Sequence, residues 1–97
     1  MIKQNALENL LKPMILNGLY KDEISALKDI TIFYVQSKVK QYSNQIQEFQ
    51  KKYNLTFDEF TKSIKNNASM AMEDDWLDWK ISVEMKNAWT LTLNEIL

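Results

Sequence analysis

The fold is decided by residues 35–53, VQSKVKQYSNQIQEFQKKY. Apolar side chains recur in this stretch at alternating spacings of four and three, with lysine, glutamine and glutamate between them. This is the period of one face of an α-helix. The pattern therefore predicts a long helix with an apolar seam, formed by Val35, Val39, Tyr42, Ile46, Phe49 and Tyr53.

The long helix is expected to cover residues 22–53. Asp22 and Glu23 suit its positive N-terminal end. Residues 30–35, ITIFYV, are β-branched and aromatic, and in isolation they also fit a buried strand. A helix is favoured because apolar residues keep a 3–4 spacing through this run and no turn residue interrupts it. A strand over residues 30–35 stays the open alternative.

A short helical region is predicted before the long helix, over residues 1–17. Pro13 is expected to end or kink the first piece, or to stand in the first turn of a second piece. Gly18 then suits the residue just after the helix end, where a left-handed backbone is needed.

Two helices are predicted after the long one. Thr56-Phe57-Asp58-Glu59 is a capping box, which begins a helix over residues 57–66. A linker at residues 66–69 precedes a last helix over residues 73–97, whose acids suit its N-terminus. With one glycine and one proline the chain does not fit an all-β fold. We therefore expect one all-α domain over residues 1–97: a small helical bundle with one long central helix and an acidic, tryptophan-rich C-terminal helix.

Missing residue types exclude several classes of function. The chain has no cysteine and no histidine, so thiolate sites, histidine bases and histidine metal ligands are excluded. All twelve basic residues are lysine, which argues against a nucleic-acid partner, because arginine is the commonest reader of guanine. The sequence shows neither a signal peptide nor a long apolar run. We expect a cytoplasmic protein that is not an enzyme, binds no metal or cofactor and has no membrane partner.

The charge is unevenly distributed along the chain. Residues 1–35 carry four lysines and four acids, residues 36–65 carry six lysines and three acids, and residues 66–97 carry two lysines and six acids. The C-terminal third therefore has a formal charge of −4, which suits a basic partner.

The C-terminal acids alternate with tryptophans. Carboxylates can hold a metal or catalyse proton transfer, but no second acidic cluster accompanies Glu73, Asp75 and Asp78. The tryptophans fit either core packing or a docking surface, because tryptophan is enriched at binding hot spots. The candidate partner-binding residues are Glu73, Asp74, Asp75, Trp76, Asp78, Trp79 and Trp89.

Three stretches carry a resemblance to a known family. They are residues 18–27, GLYKDEISAL, residues 49–60, FQKKYNLTFDEF, and residues 73–80, EDDWLDWK. In this order they resemble small prokaryotic antitoxin-like proteins of type II toxin–antitoxin pairs. There, a similar glycine-led motif enters a long helix, and a similar hinge precedes an acidic C-terminal segment that contains tryptophan.

The resemblance implies a non-enzymatic protein that neutralises a small basic toxin, commonly a ribonuclease. The C-terminal acids would then cover the phosphate-binding surface of the toxin, while Trp76 and Trp79 anchor in its pockets. Many antitoxins also bind operator DNA through an N-terminal ribbon-helix-helix. This chain departs from that pattern, because residues 1–17 fit a helix and contain Pro13.

A second hypothesis is a self-associating structural protein. In that case the seam would form the interface of a homo-oligomer through Val35, Val39, Tyr42, Ile46 and Phe49.

Overall fold

A computed structural model describes residues 4–97 of the chain, and side chains from Ala6 onward. The described chain is all-α, which confirms the predicted fold class. Residues 30–35 lie inside a continuous helix, so the strand alternative is wrong. The helices are α1 (Gln4–Leu16), α2 (Glu23–Tyr53), α3 (Phe57–Ser63) and α4 (Met70–Ile96). None of them combines the length and apolarity that crossing a bilayer requires.

The chain divides into two compact units, which meet in sequence between Tyr34 and Val35. We call them the N-terminal unit and the C-terminal unit. Helix α2 contributes residues to both, and the expectation of one domain stays a prediction. The part of the predicted N-terminal helical region at residues 1–3 lies outside the described residues.

Helix α1 continues through Pro13 and ends one turn later, so Pro13 does not end it or open a second piece. Proline removes one backbone hydrogen bond and its ring crowds the carbonyl four residues earlier, but the last turn of α1 still forms after it. The end is closed at Gly18, whose φ of 76° is left-handed. The Gly18 N–H donates to the Ile15 carbonyl at 3.0 Å, and the Leu19 N–H donates to the Met14 carbonyl at 2.9 Å. This is a Schellman motif, which satisfies carbonyls that the last turn leaves open.

Helix α2 begins at Glu23, one residue after the predicted start, and Asp22 caps it. Its carboxylate accepts a hydrogen bond from the Ser25 N–H at 2.8 Å, and this bond lowers the pKa of Asp22. Nearby, the Tyr20 hydroxyl donates to Asp29. Helix α2 ends at Tyr53, where Asn54 adopts a left-handed φ of 54° and its N–H donates to the Gln50 carbonyl at 2.7 Å.

The capping box of α3 is present as predicted. The Thr56 hydroxyl accepts from the Glu59 N–H at 3.2 Å, and the Glu59 carboxylate accepts from the Thr56 N–H at 2.9 Å. The helix ends at Ser63, earlier than the predicted residue 66, and Ile64 is its C-cap.

Helix α4 begins at Met70, earlier than the predicted residue 73. Ser69 caps it by accepting a hydrogen bond from the Met72 N–H at 3.2 Å. The sequence predicts instead that Ser69 belongs to the linker and that the acids begin the helix. That assignment was wrong, because a serine hydroxyl in the cap position satisfies the free N–H groups directly.

Candidate protein-binding site on helix α4

Trp79 lies at the centre of the C-terminal unit with no exposed surface. Its ring stacks on Phe49 from α2 with centroids 5.5 Å apart, and on Phe60 from α3 at 5.4 Å. Phe57 meets it edge-on at 5.5 Å. Such pairs each add about 0.5–1.5 kcal/mol beyond the area that they bury. We call this set the aromatic cluster, which consists of Phe49, Tyr53, Phe57, Phe60, Trp76 and Trp79.

The indole N–H of Trp79 has no hydrogen-bond partner among the described residues. Trp79 therefore acts as a packing residue, and its position in α4 fixes which face of that helix turns towards α2 and α3.

Trp76 lies one turn earlier, at the edge of the cluster and half-buried. Its Nε1 donates to the Thr61 hydroxyl at 2.9 Å, and its ring stacks on Phe57 with centroids 6.0 Å apart. The Lys80 ammonium lies 5.5 Å from the centre of the Trp76 ring. These contacts hold the indole in one orientation while leaving part of it exposed.

Asp75 joins α4 to the end of α2. Its carboxylate accepts from the Lys52 ammonium at 2.6 Å and from the Tyr53 hydroxyl. The bonds from Lys52 and Tyr53 lower the pKa of Asp75. Burial, together with the bond to Asp75, raises the pKa of Tyr53. The Asp75 carboxylate therefore makes its hydrogen bonds within the C-terminal unit.

A buried serine adds a second polar link between α2 and α4. Ser82 is only 3% exposed, and its Oγ lies 2.8 Å from Gln45 Oε1 and 2.9 Å from the Asp78 carbonyl oxygen. A hydroxyl has one proton to donate. Ser82 therefore shares this proton between two oxygen acceptors, Gln45 Oε1 on α2 and the Asp78 carbonyl on α4.

The acids that remain face solvent. Glu73, Asp74 and Asp78 are exposed, and within residues 4–97 none of them forms an ion pair. Glu73 and Asp74 border an open groove of about 520 Å³ between the end of α3 and the start of α4. Leu77, which is 49% exposed, lies in the same groove. We call it the acidic groove, and it is lined by Thr61, Ile64, Lys65, Glu73, Asp74, Trp76 and Leu77.

The predicted partner-binding residues therefore separate into groups. Glu73, Asp74 and Trp76 lie together in the acidic groove. Trp79 and Asp75 are engaged inside the unit. Asp78 borders a different cleft, and half-buried Trp89 is absent from the groove lining. The binding roles of these residues stay predictions.

Leu77 and Ile64 also line the acidic groove, and neither was among the residues predicted from the sequence. Leu77 carried a usable signal, because it is an apolar residue that falls between the two tryptophan positions in a run of acids. Ile64 carried no such signal, since its position in the groove depends on how α3 packs on α4.

The seam proposed for self-association faces largely inward. Val35 is buried, and the other seam residues are half-buried. Phe49 and Tyr53 pack in the aromatic cluster. Among the described residues, no three carboxylates are arranged to hold a metal ion.

No family model, no curated protein and no solved structure matches this chain. The resemblance to antitoxin-like proteins therefore stays a prediction that rests on the three motifs.

Proposed function

We propose that the chain is a non-enzymatic protein-binding module that holds a small basic protein in the acidic groove. A toxin of the ribonuclease type, neutralised by this chain as an antitoxin, is the partner that the motif resemblance implies. The observation that carries the proposal is the placement of Glu73 and Asp74 beside the exposed parts of Trp76 and Leu77. Neither carboxylate forms an ion pair with a described residue.

The charges favour a basic partner. Opposite charges across an interface speed association and fix orientation, and their effect weakens as salt screens them. Lys65 is the one lysine that lines the groove, against two carboxylates. Asp78 adds a third exposed acid on the same helix.

The apolar groups supply the anchor. A partly exposed tryptophan that is already held in place loses little conformational entropy on binding, and such residues dominate interface energies. Trp76 is held by Thr61 and Phe57. Trp79 is left out of the proposed interface because it has no exposed surface.

The test is co-expression with the protein encoded by the adjacent reading frame, followed by co-purification. Deleting residues 69–97 would remove Trp79 from the core, so a loss of binding could result from unfolding and not from a lost contact. Neutralising the groove in the double variant Glu73→Gln/Asp74→Asn is cleaner. We expect affinity for the co-purified partner to fall by about tenfold or more, equivalent to roughly 1.4 kcal/mol.

The matched control is Glu48→Gln/Glu95→Gln, which removes two exposed acids of the C-terminal unit that lie outside the groove and form no ion pair with a described residue. It should leave affinity within about twofold, because isolated surface charges contribute little. The proposal is wrong if no complex forms, or if both double variants bind like the original chain.

A further inference from the structure

We propose that a cleft between α2 and α4 binds a small organic diamine, a molecule with an ammonium group at each end of a short methylene chain. The cleft encloses about 420 Å³, a volume typical of small-molecule sites. We call it the α2–α4 cleft, and its lining includes Gln45, Glu48, Phe49, Asp78, Ile81 and Ser82. It shares no lining residue with the acidic groove, so the proposal is independent of the protein partner and goes beyond the proposed function.

The hydroxyl of Ser82, the most buried side chain of the cleft lining, needs a hydrogen-bond donor. Ser82 is 3% exposed, and its one proton is shared between Gln45 Oε1 and the Asp78 carbonyl. Among the described residues nothing donates to Ser82 Oγ in return, although a hydroxyl oxygen has two lone pairs. Buried polar atoms are normally paired, because an unfilled one costs free energy. The cleft is the side from which a ligand can supply the donor, and an ammonium group has donors only.

The charges of the cleft favour a ligand with two positive groups. Glu48 on α2 and Asp78 on α4 are exposed, and neither forms an ion pair with a described residue. Lys52, the one lysine in the cleft lining, is already paired with Asp75 at 2.6 Å. Two carboxylates on different helices therefore remain for two ammonium groups, and hydrogen bonds between such charged groups are the stronger ones.

The apolar part of the lining suits a methylene chain. Phe49 from α2 and Ile81 from α4 both line the cleft, and Ile81 is 45% exposed. The Phe49 ring stacks on buried Trp79, so it is held in place before a ligand arrives and loses little conformational entropy on binding. A metal ion has no use for apolar walls and needs a shell of oxygen ligands. The described residues offer no group of three carboxylates for one.

Isothermal titration calorimetry of the full chain with putrescine tests the proposal. Ionic strength is held constant, because salt screens the attraction between charges. We expect a dissociation constant below about 1 mM. Butylamine has the same methylene chain with one ammonium group and should bind about tenfold more weakly, because one charged hydrogen-bonding end is missing. Butanediol, which carries no charge, should give no measurable heat.

Two double variants test which carboxylates bind the diamine. Glu48→Gln/Asp78→Asn should weaken putrescine binding about tenfold or more, because both ammonium groups lose their charged acceptors. Glu73→Gln/Asp74→Asn is its control, since it removes the same charge from the acidic groove and should leave the affinity within about twofold.

Ser82→Ala tests the buried oxygen without changing any charge. It should weaken putrescine binding about tenfold, because a hydrogen bond to a charged group is lost. Far-ultraviolet circular dichroism checks that the variant folds. If it does not fold, two-dimensional nuclear magnetic resonance of the unaltered chain decides: putrescine should shift the backbone amide signals of Phe49, Ile81 and Ser82. The signal of Asp74, in the acidic groove, should stay in place.

The absence of heat with putrescine at millimolar concentration overturns the proposal. So does butylamine binding as tightly as putrescine, because the second ammonium group would then have no acceptor in the cleft. Equal weakening in both double variants also overturns it, since the attraction would come from the negative charge of the surface as a whole. Putrescine binding is measured without a protein partner, so its failure is distinct from a failure of the proposed function, which shows in co-purification.

Discussion

The two compact units bury their apolar side chains in different ways. In the C-terminal unit, four aromatic side chains from α2 and α3 contact Trp79 of α4, and Trp76 joins this cluster through Phe57. Two polar links, at Asp75 and Ser82, tie α4 to α2. Among the described residues of the N-terminal unit, the buried apolar residues are one leucine and one alanine, and most of the large apolar side chains face solvent.

The two units therefore differ in how much of their apolar side-chain surface they cover by themselves. An aromatic core filled from three helices buries enough area to hold its elements together. A pair of helices in which only two of the described apolar side chains are buried leaves much of its apolar surface exposed. The C-terminal unit therefore covers most of its aromatic surface by itself, while the N-terminal unit leaves most of its described large apolar side chains exposed.

The largest expected effect is on the C-terminal unit. Trp79→Ala empties the centre of the aromatic cluster, and truncating a buried aromatic residue costs about 3–5 kcal/mol. This is a large part of the total stability of a domain of this size, which is about 5–15 kcal/mol. Urea denaturation followed by far-ultraviolet circular dichroism measures the loss.

Leu91→Ala is the matched control for Trp79→Ala. Leu91 lies on the same helix and is 61% exposed, so its truncation should change the free energy of unfolding by less than about 0.5 kcal/mol. Equal effects of the two substitutions would contradict the central role of Trp79.

A smaller effect is expected from enlarging the core of the N-terminal unit. Ala26 has no exposed surface. Ala26→Leu therefore adds three carbons at a position that neighbouring atoms already cover completely. Overpacking of this kind costs about 1–3 kcal/mol. The loss should appear in the same urea experiment, whereas Thr31→Leu, at an exposed position of α2, should be nearly neutral. A neutral Ala26→Leu would mean that α1 and α2 are not closely packed there.

The smallest expected effect depends on pH and concerns Asp75. Because its folded pKa is lowered, Asp75 contributes stability above its ordinary pKa of about 3.9 and loses that contribution as pH falls through the lowered value. The pair is partly exposed, so the contribution is modest. Asp75→Asn should lower the melting temperature at neutral pH and lose less stability than the original chain on acidification.

Melting temperatures of both proteins at neutral and acidic pH measure this effect. The Asp74→Asn variant is the control, since Asp74 is exposed and forms no ion pair with a described residue. An Asp75→Asn variant with the acid sensitivity of the original chain would show that other carboxylates govern the loss.

Local chemistry explains which parts of the fold were predictable. The 3–4 spacing of the seam, the Asp22 cap, the Thr56–Glu59 capping box and the Gly18 stop all act within a turn or two of the chain, and each lies where the sequence predicts it. The start of α4 was misplaced because several nearby residues offer similar capping chemistry, and Ser69 was the one used.

The candidate site was predicted only in part. The sequence located the acids and tryptophans of α4, because composition and charge are visible without a fold. It did not separate Asp75, which is paired with Lys52, from exposed Asp74, nor buried Trp79 from half-exposed Trp76. Each pair differs by one or three positions along one helix, and only the packing of α4 against α2 and α3 makes them different.

The sequence by itself thus determined an all-α chain, its helix signals and an acidic C-terminal end, since periodicity, capping and charge are local properties. The tertiary structure decided which residues of α2 are covered and which remain exposed. It also decided which acids stay unpaired and that a groove opens beside Trp76. The physical reason is that burial and ion pairing arise between segments distant in sequence, whose contacts no local pattern specifies.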